Sequence, residues 1–392
     1  MALSSLTNIH AGFLPLTDAA ILIACKELAY DKKNGFTLNL VKESSWANIR
    51  DRMAIGHFQI AHMLAPMPVA ASLGLSPLPQ SIIAPMALGV GGNAITISRA
   101  LAEKIHIHLS APTINAKETG LALYKVVAEN RKRNGTPLSF GVVHPYSSHN
   151  FDLRYWLNAS GINPETDIQI VVVPPTLLPA ALEAGHIDGY CVGEPWNSVA
   201  VEGEIGEILT VKNEIWKHSP EKVLGVSQSF ASEEPALLSA ALRSFYEAAR
   251  WCQNPENIEE LAIILAQEKY IGQAASVIFP ALSGQLKINS DQTMQSAGFL
   301  DAFTNHATYP WQSHALWFYT QIERWRGQTW DPVKAKAAQQ TFRPDLYKDA
   351  LQELDISFPE SSIKIEGDNQ FFDQRVFDPG KADQYLEQDL AN

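Results

Sequence analysis

Apolar and polar positions switch repeatedly between a period of two and a helical period over the first two hundred residues. Asn8 to Leu14 reads as a strand, and Thr17 with Asp18 supplies N-cap chemistry for a helix from about Ala19 to Asp31. Asn34-Gly35 stops that helix. Thr37 to Lys42 then alternates as a second strand, Trp46 to Ile55 fits a helix, and Phe58 to Ala61 a short strand. After His106 to Leu109 the pattern restarts with a helix near Gly120 to Lys132, a strand at Leu138 to Val143 and a helix from Asn150 to Ala159. Strands separated by helices predict a doubly wound α/β arrangement.

The densest stretch is Val171 to Trp196. Ile168 to Val173 is a continuous β-branched run that suits a strand buried on both faces, and Pro174-Pro175 ends it because proline cannot continue the ladder. Leu177 to Ala184 follows as a helix that Gly185 caps, and His186 to Cys191 returns as a strand. Ligands of such sheets sit at the carboxyl ends of the strands. Here those ends are Pro174-Pro175 and Gly193-Glu194-Pro195-Trp196, which read as one wall of a binding cleft. Lys222 to Val226 suits a strand crossing back, amphipathic helices continue to about Gln340, and the polar tail from Phe342 to Asn392 reads as a surface wrap.

A length of 392 residues exceeds what one core usually serves, so two lobes are expected, with an apolar share of 46% to fill them. The net charge of −12 excludes a chain that grips a phosphate backbone itself, since that needs basic stripes. Cys25, Cys191 and Cys252 form no CxxC pair and fall in apolar segments, which predicts buried thiols without disulfides or zinc. Leu22-Ile23-Ala24-Cys25 looks like the end of a lipoprotein signal. No basic residue group precedes it, however, and Asp18 interrupts the apolar stretch, so a core helix is expected instead. No run reaches the roughly 20 apolar residues of a membrane-spanning helix.

Gly89, Gly91 and Ala94 have G-x-G-x-x-A spacing, but Ala94 to Ser98 is strand-like, so the dinucleotide setting fails. A close backbone approach to a small ligand, or a hairpin turn, accounts for these glycines. His106 and His108 would share one strand face without a third metal ligand, and neither H-E-x-x-H nor G-x-S-x-G occurs. His144 to Asn150 follows a strand and opens a helix, where free N–H groups suit an anion or ordinary capping by Ser147, Ser148 or Asn150.

Several of these segments together resemble the nitrate- and bicarbonate-binding proteins of ABC importers. They are Thr17 to Ala20, Ser45-Trp46, His62 to Pro68, His149, Val172 to Pro175, Cys191 to Trp196, Glu214 to Lys217 and Pro220-Glu221-Lys222. The likeness runs from about Gly12 to Gly327, with Trp251-Cys252 and Tyr309 to His314 as later echoes. It implies a two-lobed periplasmic-binding-protein-like fold of type II with the ligand cleft between lobes, divided as 1–110 plus 222–392 and 111–221.

Because the first strand starts almost at Met1, the chain is most similar to the signal-less cytoplasmic nitrate/nitrite sensors, whose partner is an RNA-binding antiterminator. The resemblance thus implies a cytoplasmic regulator of nitrate assimilation that touches neither nucleic acid nor membrane. The alternative is the substrate-binding protein of a nitrate/nitrite importer. An enzyme on this fold, as in relatives that make the thiamine pyrimidine, would need a cofactor site or a nucleophile–base pair, and the sequence offers neither. The implied ligand set is Trp46, Asn93 in place of the usual Gln amide, His149, Pro175, Gly193 and the cation Lys222, with Lys217 as the fallback and no metal or cofactor. Bicarbonate receptors resemble this pattern but carry an acidic residue and a calcium ion, so Lys222 implies nitrate or nitrite.

Overall fold

Two five-stranded sheets, each flanked by helices, build the two lobes of the computed structural model, which describes residues 6–367 and 369–388. In the first sheet the strands run in the order Phe36–Lys42, Thr7–Phe13, Ile60–Leu64, Lys222–Ser227 and Ile82–Ala87. The first three are parallel and Lys222–Ser227 is antiparallel to both neighbours. Helix Ala20–Glu27 is buried from Ala20 to Cys25. It lies between this sheet and the long helix Pro235–Gln253, which explains its nearly unbroken apolar sequence.

The second sheet has the order Gly206–Val211, Asn93–Ser98, Gly189–Gly193, Leu138–Val142 and Ile168–Val172. Its membership differs from the expected division, because Asn93–Ser98 pairs with Gly189–Gly193 and Gly206–Val211. The chain therefore leaves the first sheet at Gly92, not near Ala111. Residues 99–106 form a helix capped by Ser98, with Leu101, Ala102 and Ile105 buried, where a strand through His106 and His108 was expected. Those histidines instead face Glu207 and Glu129.

The return at residue 222 brings the chain back to the first sheet, yet not everything after it stays with that lobe. Leu286, Ile288 and Phe299 pack with Ala94, Val201, Ile208 and Val211 of the second lobe. Positions 1–5, 368 and 389–392 of the expected first lobe lie outside the described residues. Nor is the tail only a wrap, since Phe371, Phe377 and Tyr385 are buried. These aromatics sit in isolated apolar pairs within polar sequence, so no period announces them. Among the described residues no helix is long and apolar enough to cross a membrane.

The glycine run 89–92 makes a close approach to backbone. Val90–Gly91 pairs with Leu300–Asp301, and the Gly92 N–H donates to the Phe299 carbonyl. Gly91 has φ +74°, and a Cβ there would stand 2.2 Å from the Phe299 oxygen. Gly91→Ala is expected to cost more than about 2 kcal/mol in urea unfolding. Gly35→Ala, with φ +87° but nothing within 4 Å, should cost only about 1 kcal/mol. Equal losses would show that the close approach contributes nothing.

Candidate functional site

The carboxyl ends of the parallel strands meet where the two lobes face each other. Strand Thr7–Phe13 leads to Thr17 and Asp18, and strand Phe36–Lys42 leads to Ser45, which caps helix Trp46–Ala54. His62 lies in Ile60–Leu64, opposite Leu224. From the second lobe come Asn93, which is paired in register with Gly193, and Ser148 and His149 in the first turn of helix Ser148–Ala159. Lys212 follows strand Gly206–Val211, and Glu221-Lys222 opens the return to the first sheet.

One carboxylate gathers these groups. Glu221 accepts from Asn93 Nδ2 at 2.7 Å, from His149 Nε2 at 2.7 Å and from Lys212 Nζ at 2.5 Å, and also from Ser148 Oγ and Lys222 Nζ. All six residues are buried. Lys222 Nζ reaches Asp18 Oδ2 at 2.7 Å and lies 5.4 Å from the centre of the Trp46 ring. Asp18 also receives His62 Nε2 at 2.9 Å, and Lys212 holds Asp152 at 2.9 Å and the Pro220 carbonyl at 2.8 Å. Two buried lysines thus face three carboxylates.

Burial works against every charge here, and the partners decide which charges survive. Burial raises the Glu221 pKa, but Lys212, Lys222 and His149 outweigh it and hold the carboxyl well below its ordinary range. Asp18 is likewise held low, because Lys222 and His62 overcome its burial. Desolvation prevails at His149 and His62, pushing both imidazoles down toward the neutral form. Burial also lifts Asp152 to about 6 despite Lys212. Several polar atoms of the cluster have no hydrogen-bond partner among the described residues, namely Trp46 Nε1, His149 Nδ1 and Asn93 Oδ1. Buried donors and acceptors of this kind are costly unless something meets them.

Of the residues that the sequence nominated, Trp46, Asn93, His149 and Lys222 come together. Gly193 adjoins them, since a Cβ there would sit 3.3 Å from both Asn93 Oδ1 and Asp18 Oδ2. Pro175 is buried at the start of the turn after strand Ile168–Val172 and shares none of the side-chain bonds of the cluster. Lys217 is exposed, its backbone N–H bound to Gln370. The second cation is Lys212. Asp18 is not the expected helix cap but an ion-pair partner. Lys212 and Asp152 escaped the sequence reading, and Glu221 entered it only as part of a resembling segment, because a charged residue in one chain reads as solvated until its opposite from another segment is known; Ser148 was named there only as a helix cap or anion-site candidate. The adjacent acid and base in Glu221-Lys222 were the only local hint. Among the described residues no group of three or more His, Cys, Asp or Glu side chains is arranged to hold a metal ion.

Comparison with known proteins agrees with this architecture. The chain is 33% identical over 389 residues to the nitrate/nitrite binding protein NrtA of Nostoc sp. PCC 7120, a match covering 97% of this chain and 85% of that protein. It is 34% identical over 387 residues to the nitrate import ATP-binding protein NrtC of Synechocystis sp. PCC 6803, covering 97% of this chain but 54% of that one. The crystal structure of the periplasmic nitrate-binding protein NrtA from Synechocystis PCC 6803 superposes with a TM-score of 0.89 at 27% identity, covering 98% of both chains. Residues 4–266, more than half of the sequence, match the NMT1-like family. With its two-lobed α/β fold and these relatives, the chain belongs to the NMT1-like family.

Proposed function

We propose that this protein is a receptor that binds nitrate or nitrite between its lobes. The observation that carries the reading is the buried set of five donors from both lobes around one planar monoanionic group, the Glu221 carboxylate. A carboxylate and nitrite each place two oxygens and one shared negative charge on a trigonal centre, and nitrate adds a third oxygen. A site that satisfies the first has the chemistry for the others. The relatives named as nitrate/nitrite binding proteins support the same ligand. Lys222, where the resemblance puts an acidic residue in bicarbonate receptors, supports nitrate or nitrite over bicarbonate.

An anion held by both lobes favours the closed state, and closure is the signal that a partner reads. Delivery to a membrane importer is favoured by the matches to importer subunits. Control of an RNA-binding antiterminator in the cytoplasm is the second output we propose, and the acidic net charge suits it because RNA contact then belongs to the partner. Co-purification with permease components or with an RNA-binding regulator separates the two.

Nitrate has four non-hydrogen atoms, and a ceiling of about −1.5 kcal/mol for each gives about −6 kcal/mol, or roughly tens of micromolar. Calorimetric titration in chloride-matched buffer is expected to show saturable binding of nitrate or nitrite in that range and none of bicarbonate. No saturation by millimolar concentrations of any of the three overturns the proposal.

A further inference from the structure

We infer that Glu221 is a built-in stand-in for the ligand, joining the two lobes before any anion arrives and setting the affinity by having to give way. This rests on the proposed anion site. Glu221 sits at the amino end of the strand that re-enters the first sheet, next to Lys222, whose backbone pairs with Leu64. Its carboxylate nonetheless takes bonds from four side chains of the other lobe: Asn93, Ser148, His149 and Lys212. Among the described residues no other carboxylate is shared so widely across the cleft.

The same donors are the groups through which the proposed receptor would hold an anion. Lys222 shows the conflict most clearly. Two of its three N–H directions point to Asp18 and Glu221, and His149 Nε2 lies 3.4 Å from Nζ. His149 Nε2 donates to one acceptor at a time, and that acceptor is now Glu221. An incoming anion gains these donors only when the carboxylate lets go of them, so the two compete for one set of bonds. The backbone already assists the juxtaposition, because the Thr17 N–H donates to the Glu194 carbonyl at 2.7 Å and Trp196 Nε1 to the Pro15 carbonyl at 3.0 Å, both across the lobes. Glu221 adds the charged bond on this seam that an anion is able to replace.

Lobe closure and anion affinity are measured separately in the full chain. Spin labels at Lys33→Cys in the first lobe and Arg133→Cys in the second report the interlobe distance, and the three native cysteines are buried. The ligand-free wild-type protein is expected to give the short distance already, with little change on adding nitrate. Glu221→Gln without ligand should give a longer and broader distribution that nitrate shortens, and should bind nitrate tighter by on the order of tenfold or more. Glu221→Asp keeps the charge but loses one methylene of reach, so its ligand-free distribution should resemble that of Glu221→Gln. It also carries the test if the neutral variant does not fold.

An unchanged ligand-free distance in both variants, or weaker nitrate binding by Glu221→Gln, overturns the inference. So does a Glu221→Asp protein that stays closed, since net charge rather than the bridge would then be at work. A wild-type chain that binds neither nitrate nor nitrite, while Glu221→Gln still opens the lobes, would instead remove the proposed ligand and leave the bridge standing.

Discussion

Lys222→Met is expected to lower nitrate affinity at least a hundredfold and to destabilise the fold by about 3–5 kcal/mol, since it leaves buried carboxylates without their counter-charge. Lys222 Nζ is fully buried, bonded to Asp18 at 2.7 Å and to Glu221. Removing it deprives Asp18 of the partner that most lowers its pKa and leaves His62, whose imidazole burial keeps toward neutral. Lys222→Glu would be worse, because it sets a third carboxylate beside Asp18 and Glu221. Loss of binding by either single variant is therefore ambiguous, and the double variant Lys222→Met with Asp18→Asn resolves it. That protein should recover most of the stability, since an uncompensated buried charge is the chief cost, and should recover none of the binding. Calorimetry and urea unfolding on the same samples check both parts. Nitrate affinity unchanged in Lys222→Met would transfer the cation's role to Lys212.

Trp216→Ala is expected to cost about 3–5 kcal/mol and to release the segment around Phe371 to proteases. The Trp216 ring stacks on Phe371 and meets Trp317, both with centroids 4.7 Å away, and stands edge-on to His314 at 5.8 Å. The surrounding backbone is also joined, since Lys217 N–H donates to the Gln370 carbonyl and Phe372 N–H to the Ile215 carbonyl, each at 2.9 Å. Tyr155 OH donates to the Asp373 carboxylate at 2.9 Å. The tail thus fastens the stretch that carries the chain from Lys212 back to Lys222. Trp216→Phe keeps a flat ring against Phe371 and should lose less than half as much. Limited proteolysis showing the tail equally protected in Trp216→Ala would refute the fastening.

Much of the fold is legible in the amino-acid sequence. The switch from alternation to helical spacing, with turn residues at the boundaries, locates the strands around Asn8, Thr37, Leu138 and Ile168 to within a residue or two. The strand Ile168–Val172, expected to be buried on both faces, is instead an edge strand with only Ile168 buried, because sequence does not say which strand ends the sheet. Helix Ser148–Ala159 begins two residues before its expected start, at a serine cap that the sequence shows plainly. The misplacement of Asn93–Ser98 has a different origin. Its composition says strand, but nothing local says which of two sheets will pair with it.

The candidate site divides along the same line. By itself the sequence determined the elements, their order, the apolar surfaces they must hide, and the chemical types gathered at the strand ends. Trp46, Asn93, Gly193, His149 and Lys222 could be nominated only because the segments that carry them resemble the nitrate- and bicarbonate-binding proteins. Only the tertiary structure decided that Lys222 is shared by Asp18 and Glu221, that Lys212 rather than Lys217 is the second buried cation, and that a glutamate fills the donor ring. The physical reason is range. Secondary structure follows from steric and hydrophobic preferences over a few neighbours, whereas charge compensation in a desolvated cleft depends on groups more than a hundred residues apart, such as Asn93 and Glu221, which meet only when both lobes are folded and facing.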